Sequence, residues 1–132
     1  MLAQNFKTAD ELQITDEERS ALIKVLGMFE REEIQPSTPY KPNCRNGFHM
    51  ATVRSTEDCK TVACIKGWCQ IVGGNHLFDP FNGRPIPPRL YDELFLYGDE
   101  RRKKINSPDQ AAAALRSYLT TGRARWNLAL GT

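Results

Sequence analysis

The apolar positions of the chain fall into helical stripes separated by two proline-rich loops. Between Cys59 and Gly74 the sequence reads CKTVACIKGWCQIVGG. A helix over 61–72 sets Ile65, Trp68, Cys69 and Val72 on one face, at the spacing that a 3.6-residue turn requires. Val62, Ala63 and Ile71 widen this face to most of the circumference, leaving Lys60, Lys66 and Gln70 for water. A helix apolar nearly all round is a buried one, so the pattern predicts a central helix with the others laid against it. Gly67 costs about 1 kcal/mol relative to alanine inside a helix. The offsetting gain expected is close approach of a neighbouring helix beside Trp68. Gly73 and Gly74 stop the helix.

Other stretches carry clear start and stop signals. Thr8 and Glu11 have capping-box spacing and predict one short turn. Thr15 and Glu18 repeat the pattern, with Asp16 and Glu17 favouring the positive helix start. Leu22, Val25, Leu26 and Phe29 form the stripe that follows, and Pro36 ends it. A third helix is expected from about Pro88 to Tyr97, with Leu90, Tyr91, Leu94 and Phe95 inward. Ser107, Pro108 and Gln110 give a cap, a first-turn proline and a capping glutamine. The resulting helix buries Ala111, Ala114, Leu115, Tyr118 and Leu119, and Gly122 terminates it. Trp126 is expected to fold back onto the core. The loops are 36–47 and 75–88, the second pinning Phe78 and Phe81. Residues 48–54 alternate weakly and suit one short extended segment, with no strong partner, so no substantial sheet is expected.

The fold class expected is mainly α: a single domain over 1–132, with about four main helices around the buried helix 61–72. Residues 1–14 and 127–132 are read as loosely ordered. The expected structural core includes Ile65, Gly67, Trp68, Cys69, Val72, Leu115 and Trp126. A chain of 132 residues buries about two-thirds of its unfolded surface, enough for one core.

Phe48-x-Met50, followed by Cys59-x-Thr61-x-Ala63-Cys64-Ile65-x-Gly67-Trp68, resembles a motif of small bacterial and phage-borne proteins that form an uncharacterised family. The Gln110-Ala111-Ala112 helix, Gly122 and Trp126 fit the same pattern, so the resemblance spans roughly 48–126. It implies a shared fold and no activity, and it carries over no catalytic residues. Lys66 stands where alanine is common, and Cys69 replaces a small residue.

A net charge of +2 gives no global electrostatic case for nucleic acid. The ends differ, however: residues 1–35 hold four Lys/Arg against eight Asp/Glu, and residues 98–132 hold seven against three. No signal peptide and no membrane span are read, which points to a cytoplasmic protein with reduced thiols. Cys59, Cys64 and Cys69 are five apart. Five helical residues rise about 7.5 Å, beyond disulfide reach. A Cys44–Cys59 pairing stays open.

The residues that could carry chemistry are few. Cys44, His49, Cys59 and Cys64 are the conceivable metal ligands, but they lack the two-to-four spacing of structural zinc, so no metal and no cofactor is expected. Cys59, read as lying at a helix start, is the candidate thiol nucleophile, with His49 or His76 as base. Arg101-Arg102-Lys103-Lys104, with Arg116, Arg123 and Arg125 beside Tyr118 and Trp126, could line a basic face. Charge runs are more often solvated surface. The preferred expectation is a non-enzymatic interaction or self-associating domain. A thiol- or metal-dependent enzyme using Cys59 and His49 is the first alternative, and nucleic-acid binding is the second.

Overall fold

The computed structural model describes residues 6–38, 44–57, 59–78, 89–96, 100, 105, 107–124 and 126. They form helices α1 (Ala9–Leu12), α2 (Asp16–Glu30), α3 (Ile65–Gly73) and α4 (Pro108–Thr121), and a π-helical segment at Arg89–Leu94. They also form strands β1 (Gln35–Pro36), β2 (Asn46–Phe48), β3 (Arg54–Glu57) and β4 (Lys60–Ala63). The strands make one sheet in the order β1-β2-β4-β3. β1 with β2 and β2 with β4 run parallel, and β3 with β4 is an antiparallel hairpin. The mainly α, all-helical expectation is therefore corrected: this is a mixed α and β fold.

The correction starts at the central stretch. Residues 60–63 are strand β4, and the helix occupies 65–73. Thr61 and Val62 are β-branched and suit a pleated surface flanked on both sides. Cys64 divides the two elements. Its backbone is extended (φ −80°, ψ −176°), and its thiol accepts the Gly67 N–H at 3.5 Å as the N-cap of α3. An apolar run through a strand and straight into a helix reads as one longer helix, because short apolar runs do not show their period. The single extended segment expected at 48–54 is replaced by β2, which ends at Phe48, and β3, which begins at Arg54.

Gly67 is explained differently too. A Cβ there would lie 1.7 Å from the Val53 carbonyl oxygen and 2.9 Å from the Ala63 Cβ. The close neighbours are the 49–53 connection and β4, not another helix. Trp68 anchors the same junction by donating its Nε1–H to the Gly47 carbonyl at 2.9 Å.

The core lies between the sheet and the helices. Phe29 of α2 meets Phe48 of β2 edge-on at 5.1 Å, and Phe78 meets Phe95 at 5.2 Å. Ile65, Trp68, Cys69 and Leu115 are buried, and Val72 and Trp126 are partly so. Both capping boxes are formed, at Thr8–Glu11 and Thr15–Glu18. Residues 6–14 are tied in, with the Lys7 N–H donating to the Leu119 carbonyl at 2.7 Å. α2 ends at Glu30, and the chain enters β1 before Pro36. Where an α-helix was expected over 88–97, Arg89–Leu94 is π-helical, with Leu90, Leu94 and Phe95 buried. Phe81 and the Tyr91 side chain lie outside the described residues.

Candidate functional site

The parallel ladder between β2 and β4 distributes the candidate ligands. Asn46 pairs with Thr61 and Phe48 with Ala63, so partners are fifteen positions apart. His49 and Cys64 fall level with each other just past one end of the ladder. Cys59 precedes the other end of β4, in the turn after β3, and Cys44 precedes β2 with its thiol 3.8 Å from the Pro36 carbonyl of β1. Among the described residues no group of three His, Cys, Asp or Glu side chains is placed to hold an ion.

The same geometry separates nucleophile from base. Cys59 is not at a helix start. It is exposed in the turn between β3 and β4, with φ at +64°, where no helix dipole acts on it. His49 is buried at the far end, and its Nδ1 accepts the Ala51 N–H at 3.0 Å. Burial lowers its pKa, so the neutral imidazole is favoured. His76 lies on the surface, 3.2 Å from Glu17. Cys64 is level with His49 and sits at a helix N-terminus, but burial raises its pKa and outweighs the backbone hydrogen bonds that lower it. Burial drives Cys69 well above the ordinary thiol value, and the Cys64 thiol and the Glu18 carboxylate add to the rise. Cys44, half-buried, is raised by desolvation, offset in part by a Ser37 hydrogen bond and the Lys60 charge. A thiol held protonated is a poor nucleophile.

The described arginines of the candidate basic face, Arg116 and Arg123, pair within the fold. Arg116 donates to Glu30 at the α2–α4 junction. Arg123 donates to both oxygens of Glu93 at 3.0 Å. The Trp126 Nε1–H donates to the Glu93 carbonyl at 2.9 Å. Tyr118 is buried, so its ring offers no stacking platform. Residues 101–104 and Arg125 lie outside the described residues. The acidic α2 packs on α4, and Glu30 of α2 pairs with Arg116 of α4.

Among the described residues the large hydrophobic side chains on the surface are Val53, 43% exposed, and Ile71, 37% exposed. Val53 rests its carbonyl at Gly67, and Ile71 is one helical turn further along the same side of α3. Arg54 lies next to Val53, at the start of edge strand β3. Beyond Ile71, Val72 and Gly73 form the wall of a shallow cleft of about 340 Å³, whose opposite wall is Asp16, Glu17, Ser20 and Lys24 of α2. The helical reading counted Ile71 as buried and had no signal for Val53. Only knowing that β4 precedes α3 shows which side of α3 is left uncovered.

Comparison with protein-family models, curated proteins and solved structures gives no match. Among the described residues no helix is long and apolar enough to cross a membrane.

Proposed function

We propose that this chain is a cytoplasmic, non-enzymatic interaction domain that associates with a second copy of itself through surface that includes Val53 and Ile71. The observation that carries the reading is the exposure of Val53 and Ile71, the large hydrophobic side chains on the surface among the described residues.

Two solvent-exposed apolar anchors make a small interface, so the dimer is weak and concentration-dependent. Sedimentation equilibrium over a hundredfold range of concentration tests this. The sedimentation-average mass should climb toward twice the monomer value. Ile71→Asp should hold the protein at the monomer mass without changing its unfolding midpoint. A wild-type protein that stays monomeric at the highest concentration removes the proposal.

A further inference from the structure

We propose that self-association runs through strand β3, whose outer edge pairs antiparallel with the same edge of a second copy about a two-fold axis at Ser55. This deepens the reading above and rests on it, since exposed Val53 leads directly into β3. β3 ends the sheet, with β4 on its inner side. Which of its backbone groups face outward follows from β4. The Thr61 N–H donates to the Arg45 carbonyl at 3.0 Å, and the Ala63 carbonyl accepts the His49 N–H at 3.3 Å. Thr61 and Ala63 thus turn their backbone toward β2, and they stand opposite Thr56 and Arg54 of β3. In an antiparallel ladder, bonded and non-bonded pairs alternate. Ser55 and Glu57 therefore bond to β4, and the N–H and C=O groups of Arg54 and Thr56 point away from the sheet. Among the described residues nothing hydrogen-bonds to those outward groups, and both residues are exposed.

The edge is complementary to itself. Outward residues of one strand must face outward residues of the other. With the axis at Ser55, Arg54 of each copy faces Thr56 of the other, and each of these two pairs exchanges two hydrogen bonds, as an isologous contact requires. An axis at Arg54 sets like charges directly opposite, which is unfavourable. An axis at Thr56 leaves only the Thr56 pair bonded within the strand. The opposite edge of the sheet is poorly suited to the same use. β1 is two residues long and contains Pro36, which has no N–H to offer. β3 holds four residues, none of them proline, in unbroken register with β4. Pairing at β3 therefore joins the sheets of the two copies into one.

Two variants of the whole chain test the edge, beside wild-type sedimentation. Ser55→Cys, in a Cys44→Ser and Cys59→Ser background, should link two chains when treated with diamide. The two Ser55 Cα atoms face each other in a non-bonded pair about 4.5 Å apart, within disulfide reach. Glu57→Cys in the same background should not link, because its two copies are four residue steps apart along the strands, roughly 13 Å. Thr56→Pro deletes an outward N–H and no bond to β4, so it should weaken self-association by about tenfold with the urea midpoint little changed. A protein that still sediments as a dimer while Ser55→Cys stays unlinked overturns β3 pairing and leaves self-association standing. Linking of Glu57→Cys as fast as Ser55→Cys overturns the register. A wild-type protein that is monomeric at the highest concentration overturns both readings.

Discussion

Single atoms decide whether parts of this fold can close. At Gly67 a methyl group would overlap the Val53 carbonyl and press on Ala63. Both neighbours are fixed, one by backbone and one by β4, so neither can turn aside. Gly67→Ala should therefore cost about 3 kcal/mol in urea unfolding, although alanine is the better helix former. His49 makes a second residue-scale prediction. Its folded pKa is lowered by burial, so below the unfolded value of about 6.5 the unfolded chain binds more protons than the native one. Stability should fall as pH drops from about 7 through about 6.5 and below. Urea midpoints at intervals across that range, against His49→Gln, should show a shallower fall in the variant.

Helix ends were the most readable elements, because a capping box is a local pattern with its own hydrogen bonds. The sequence does not tell how much each box carries. At Thr8–Glu11 the pair is exposed. At Thr15–Glu18 the carboxylate is buried, and its second oxygen accepts the Phe78 N–H at 2.8 Å, pinning the turn after α3. Glu18→Ala should cost about 3 kcal/mol, since it strands a buried N–H as well as uncapping α2. Glu11→Ala should cost far less, and denaturant titration of both variants decides the point. Strands were the least readable. β2 and β4 have three and four residues, too few for alternation to emerge. Their partners are remote in sequence, with Asn46 opposite Thr61 and Gln35 opposite Gly47. Only the β3–β4 hairpin is local, and its turn uses Cys59 at positive φ where Asn or Gly would have signalled it. The cysteines of the site could be named from sequence, but the placing of Cys59 in a hairpin turn and of Cys64 at a strand-to-helix junction required the fold.

At the scale of the whole molecule, electrostatics is divided between internal and external use. Glu30–Arg116 and Glu93–Arg123 close charges within the chain. Glu17 lies 3.2 Å from His76, and Arg54 is exposed beside Val53 at the start of edge strand β3. If Arg54 lies in the interface between two copies, Arg54→Glu should change self-association several-fold, with both proteins equally stable to urea. Equal dissociation constants for the two proteins in sedimentation would exclude a role for this charge. The Trp68 indole bonded to Gly47 has an optical consequence. Trp68 is enclosed, whereas Trp126 is half-exposed. Emission from a Trp126→Phe variant therefore comes from one ring wedged between sheet and helix. A stopped-flow trace of that single fluorophore would time the docking of α3 onto β2, the step that joins the two halves of the architecture.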